Sequence, residues 1–209
     1  MRIAFVGLLA GLFALAAGPG AAAQRPAISI ELAHDNTDER AAKEQLERIL
    51  TQYDLSRWIF TKRIRIEQGV RPHSHPVLTL NTRGLGNDGR ALAAFVHEQI
   101  HWFLSERSRN TNKGLAAVRQ LYPDAPEALA AGGAGNRNST YLHLIVCELE
   151  FESLRVLLGS DTASAVLREE IAFGQTGLGY HWIYQTVLDD QAKLSALIRQ
   201  NGLALPGAP

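Results

Sequence analysis

Cysteine, methionine and tryptophan are scarce in this chain, at one, one and three among 209 residues. The single thiol, Cys147, excludes an internal disulfide. A chain of this size needs none, because its core can be large enough by itself. Cys147 stands among Leu144, Ile145, Val146 and Leu149, the surroundings of a buried apolar filler. Net charge is missing too, since 21 basic side chains balance 21 acidic ones. No basic cluster interrupts that balance, so neither a nucleic-acid partner nor a membrane surface is implied. Only one long apolar run exists, Ile3 to Ala17. Its length of about 15 residues falls short of the roughly 20 that a spanning helix needs.

That run has a different reading. Arg2 precedes it, Gly18-Pro19-Gly20 breaks it, and Ala21-Ala22-Ala23 follows, which is the layout of a secretory signal with a small-residue cleavage site. Cleavage after Ala23 is expected, leaving one domain over residues 24–209 with a formal balance of −1. A periplasmic or secreted protein with no membrane attachment after cleavage is the corresponding expectation. No cysteine near the site supports a lipid anchor.

Alternation over "AISIELA" (27–33), "RWIFTKRIRIE" (57–67) and "VLTLNTR" (77–83) predicts strands. The turn residues of "QGVRPHSHP" (68–76) predict a hairpin between the last two. Between the first and second strands, "NTDERAAKEQLERILTQY" (36–53) reads as an amphipathic helix capped by Asn36 or Thr37. A helix from about Arg90 to Glu106 follows, with Asn87 or Asp88 as its cap. "RSRNTNKG" (107–114) reads as irregular, followed by a short helix ending at Tyr122-Pro123. Helices are expected from about Ser139 to Leu158, from Ser160 or Asp161 to Phe173, and from about Tyr180 to Gln200, with "LALPGAP" as a short tail. Strands early and helices late predict an α+β domain, with a small antiparallel N-terminal sheet and a helical remainder.

The chemistry centres on "AAFVHEQIHWFL" (93–104). Residues four apart on a helix lie one above the other, so His97 and His101 face one point and can share a metal ion. Glu98 projects beside that point, where it can take a proton from a water instead of ligating. A zinc ion there would lower that water's pKa toward about 7. Chance places this pattern in such a chain only about 1–2% of the time. The surrounding residues are apolar nearly all round, so the helix is expected to be central. Three polar groups buried without partners would cost several kcal/mol. Histidines satisfied by hydrogen bonds alone are the competing explanation.

A catalytic zinc takes a third protein ligand and leaves its fourth position to water. "TYLHLIVCELEFESLRVLLG" (140–159) offers candidates. Glu148, Glu152 and Arg155 form one stripe, most simply a solvated face. His143 and Glu150 lie on the opposite, inward side. Seven residues set them about 10 Å apart along the axis, so one ion is not expected to hold both. Glu150 is taken as the ligand, with His143 beside it or touching substrate; the reverse assignment stays open.

"HEQIH" with an inward carboxylate on a later helix resembles the zincin metallopeptidases, and among them the glutamate-liganded branch. The resemblance covers roughly residues 77–150, and its specific part is the five-residue motif. It implies His97 and His101 as ligands, Glu98 as general base, Glu150 as third ligand, and "VLTLNTR" as the edge that pairs with a peptide substrate. Two departures stand out. Leu154 occupies the place, four residues after Glu150, where that branch often carries an Asp, and Arg107 stands where a metzincin has its third histidine.

Attack on a carbonyl creates an oxyanion that needs a donor. "GYHWIYQTV" (179–187) offers Tyr180, His181 and Tyr184, with Tyr184 placed first. His73 and His75 are assigned to a polar hairpin tip and His34 to the surface. Asn138 is expected to cap the following helix, and Gly132, Gly133 and Gly135 to form a flexible connector or a lid hinge. The function expected is an exported, zinc-dependent peptidase acting on peptide or protein substrates. The alternative is a non-catalytic protein that keeps zinc for binding or structure.

Overall fold

The computed structural model describes residues 28–206; the signal reading, on residues 1–23, lies outside them. The chain forms β1 (Ser29–Leu32), α1 (Thr37–Gln52), β2 (Arg63–Ile66), β3 (Leu78–Leu80), α2 (Asp88–Ser105), α3 (Ser108–Leu121), α4 (Arg137–Leu158), α5 (Ser160–Phe173) and α6 (His181–Gln200). The fold is α+β, with the small sheet ahead of a helical majority. None of the described helices is long and apolar enough to cross a membrane.

The sheet corrects one expectation. Its order is β1-β2-β3, and both pairings are parallel. Period-two alternation fixes which face a residue takes, not the direction of the strand. The eleven residues between β2 and β3 can reach roughly 36 Å when extended, enough to carry the chain back and start β3 alongside β2. The expected hairpin survives as one antiparallel bridge between that connection and β3, where His73 and Thr79 exchange backbone hydrogen bonds of 3.0 and 2.8 Å. The Thr79 edge, expected to pair with substrate, is therefore already occupied by His73.

Capping follows the sequence at two helices. The Asn36 side chain accepts from the Glu39 N–H at α1, and Asn87 accepts from Arg90 at α2. At α4 the cap is Asn136, which accepts from Ser139; the side-chain oxygen of Asn138 accepts instead from Arg119. α3 runs straight through the stretch read as irregular. Its polar residues form a solvated face, and Gly114 marks a close approach rather than a break. A Cβ there would meet the Leu203 side chain at 2.8 Å, so the described start of the supposed tail is packed, with Leu203 and Leu205 buried.

α4 is the central helix, touching α2, α3, α5 and α6. Its buried residues include Leu144, Ile145, Val146, Cys147, Leu149 and Leu154. α2 is buried nearly all round from Leu92 to Leu104, with Phe95, Ile100 and Phe103 in the core. Its buried Gln99 is satisfied, accepting from the Phe60 and Thr61 N–H groups and donating to the Thr61 carbonyl. α2 thereby fixes the segment leading into β2. Gly132, at φ +82°, and Gly133 are neither hinge nor loose connector. A Cβ at Gly132 would run into the Trp182 backbone nitrogen, at the start of α6, and one at Gly133 into the Pro126 carbonyl oxygen.

Candidate metal centre

α2 and α4 cross with His97 and His101 on one side and His143 on the other. The three imidazoles form a nearly equilateral group, with ring centres 5.1 Å (His97–His101), 5.1 Å (His101–His143) and 5.5 Å (His97–His143) apart. One nitrogen from each lies within 4.8 Å of the other two. His97 and His143 are both buried, at 8% exposure.

Two of the rings have their second nitrogen committed. His97 Nδ1 lies 2.8 Å from Glu150 Oε2, and His143 Nδ1 lies 2.8 Å from the Ser139 carbonyl oxygen. Both partners accept from the ring once the carboxylate is ionised, so each Nδ1 carries a proton and each Nε2 is the nitrogen left for a metal. An acceptor behind each imidazole is the outer arrangement that metal-binding histidines use to fix ring and tautomer. Burial, assisted by neighbouring imidazoles, holds His101 down to about 2 and His143 down to about 3, which keeps both in the neutral, ligating form. Burial also pushes His97 down, but its contacts with Cys147 and Glu150 outweigh this and hold it well above its ordinary value. A basic imidazole backed by a carboxylate is a strong ligand once a cation replaces the proton. The donor set therefore fits a zinc ion.

Glu150 does not join His97 and His101 at one point. It groups with His97 and Cys147 instead. The reason is the two-turn separation noted above: the His97 ring stacks at 5.5 Å on His143 and reaches Glu150 through its Nδ1. Tyr184 completes that outer layer, its hydroxyl donating to Glu150 Oε2 at 3.2 Å. Cys147 is fully buried against the same side, and burial raises its thiol to about 11. It is packing material in contact with His97, not an activated nucleophile.

Glu98 is 5% exposed and lines the cleft beside the three histidines. Burial raises its pKa, against the opposing charge of His97. The cleft has a volume of about 370 Å³, within the usual range for ligand sites. Tyr180 and Tyr184 line it; His181 does not, and its Nδ1 contacts the Gly174 carbonyl oxygen at 3.1 Å. The Tyr180 ring lies 4.5 Å from that of His143, and its hydroxyl has no hydrogen-bond partner among the described residues.

His73 also lines the cleft, and His75 stacks on Trp102 at 4.1 Å. His34 is exposed, and Glu39 accepts from its backbone N–H and lies 2.9 Å from its ring. The stripe read as a solvated face is exposed at Arg155 but covered at its two glutamates. Glu148 is fully buried, and Glu152 accepts from Ser195 and contacts Arg199. Sequence reasoning missed Arg71, Arg83, Arg90, Glu170 and Phe173, all of which line the cleft. Arg90 and Glu170 are ion-paired across 80 positions, a separation for which no local pattern exists. Compared with known proteins, the chain matches no family model, and no curated protein or solved structure matches it.

Proposed function

We propose that the chain is a zinc-dependent peptidase whose metal ligands are His97, His101 and His143, with Glu98 as general base. The observation that carries this reading is the convergence of three imidazoles beside a buried carboxylate in an open cleft. Glu150, favoured as the third ligand from the sequence, becomes the group that orients His97. That departs from the glutamate-liganded zincins while keeping the zincin logic of the helix motif. Bound by the three histidines, zinc would supply a Lewis acid that polarises a carbonyl and makes water acidic near neutral pH.

The remaining work falls to the chain. Glu98 accepts a proton from the attacking water and delivers it to the departing amine. Tyr180, with its hydroxyl unengaged, takes the role of donor to the developing oxyanion; Tyr184, committed to Glu150, positions the ligand layer. The Glu98→Gln variant tests the assignment. It should retain about one zinc per chain and lose hydrolysis of a mixed peptide library. Wild-type protein that holds zinc yet cleaves no peptide would instead favour a binding or structural role. Export, with action in the periplasm or outside the cell, is proposed from the N-terminal sequence alone.

A further inference from the structure

Charges lining the cleft balance in number, as they do over the whole chain, but they are not all paired with one another. Three guanidiniums line it, from Arg71, Arg83 and Arg90, with three carboxylates, from Glu98, Glu150 and Glu170. Each carboxylate has a committed position. Glu150 lies against His97, Glu170 pairs with Arg90 at 2.6 Å, and Glu98 stands at the proposed metal. Arg71 and Arg83 have no carboxylate within ion-pair distance among the described residues, while ten other basic side chains do. The backbone beneath both is pinned. The Arg71 carbonyl contacts His73 Nδ1 at 3.1 Å, and the Trp102 indole N–H donates to the Ser74 carbonyl at 2.8 Å. Near Arg83, the Asn81 side chain accepts from the Arg83 N–H, and the guanidinium sits 5.8 Å over the Phe173 ring. Arg71 lines the cleft next to Pro72, His73 and Ser74, whereas Arg83 stands on the side of Phe173.

We infer that this cleft selects substrates carrying carboxylates, and that Arg71 and Arg83 are the residues that recognise them. Guanidinium groups match carboxylates with paired hydrogen bonds, and two unpaired positive charges in a concave site attract anionic ligands. The carboxylate is supplied by an Asp or Glu side chain near the cleaved bond or by the free C-terminus of a peptide. The inference rests on reading the cleft as a peptide site.

The test measures binding, so that it does not depend on turnover. Zinc-loaded Glu98→Gln protein is titrated with fluorescent peptides containing Asp and Glu, and with matched peptides containing Asn and Gln, each with a free or amidated C-terminus. Acidic or free-ended peptides should bind roughly tenfold tighter than their neutral counterparts, with each arginine worth roughly threefold, as for an exposed ion pair. Added salt should weaken the preference. Adding Arg71→Gln and Arg83→Gln together should abolish it, and adding Arg63→Gln, on β2 outside the cleft, should not. Preference that survives amidation assigns the side chain; preference lost on amidation assigns the C-terminus. Equal binding of charged and neutral peptides, or a preference that persists in the double-arginine variant, would overturn the inference. Failure of the wild type to cleave bound peptides would overturn the peptidase reading and leave this one standing.

Discussion

At the scale of single residues, two buried glutamates show opposite ways of being buried. Both oxygens of Glu148 are enclosed with no hydrogen-bond partner among the described residues. Burial, with Glu152 adding to it, lifts its pKa from 4.5 to about 9, so it keeps its proton at neutral pH. Between those two values the native state holds a proton that the unfolded chain has lost, and stability falls as pH rises. Glu148→Gln should therefore melt close to wild type near pH 4 and several degrees above it near pH 8. A difference that does not vary with pH would contradict this. Glu39 is the reverse case. Burial raises it, but the Gln68 N–H and the His34 ring and N–H outweigh that and lower it to about 2. Its contribution is present above pH 4.5 and is lost as pH falls toward 2. Glu39→Gln should accordingly be destabilised at neutral pH and converge on wild type in acid melts.

At the scale of elements, the centre depends on how α2 and α4 meet. His97 and His101 were legible because the helical period puts them on one face whatever the rest of the fold does. The choice between His143 and Glu150 was not legible. Both face inward, and only the crossing of the two helices decides which reaches the side shared with His101. The direction of β3 was hidden for a related reason: "QGVRPHSHP" contains a tight turn, yet the turn joins His73 to Thr79 rather than β2 to β3. α3 was obscured by its polar composition, since it buries little beyond Thr111, Gly114 and Val118. The arrangement of α4 also ranks its variants. Glu150→Gln keeps the shape behind His97 but removes the charge, and should weaken zinc binding roughly 10- to 100-fold. His143→Ala removes a ligand and should weaken it further. Competition against a calibrated zinc chelator gives both numbers, and a larger loss from Glu150→Gln than from His143→Ala would reverse the assignment.

At the scale of the whole molecule, the proposed zinc would tie α2 to the centre of the helical layer. An ion that binds only the native state at about 100 times its Kd adds about 2.7 kcal/mol. For a chain of this size that corresponds to a rise in Tm of roughly 5–10 °C, expected for wild type and absent in His97→Ala. The most direct measurement is X-ray absorption at the zinc edge of wild-type protein carrying one equivalent of zinc. Three imidazole nitrogens at about 2.0–2.1 Å, with no sulfur neighbour, are the expected result, and His143→Ala should lower the imidazole count. A zinc–sulfur distance of about 2.3 Å would place the ion with Cys147 and Glu150 instead and contradict the three-histidine centre.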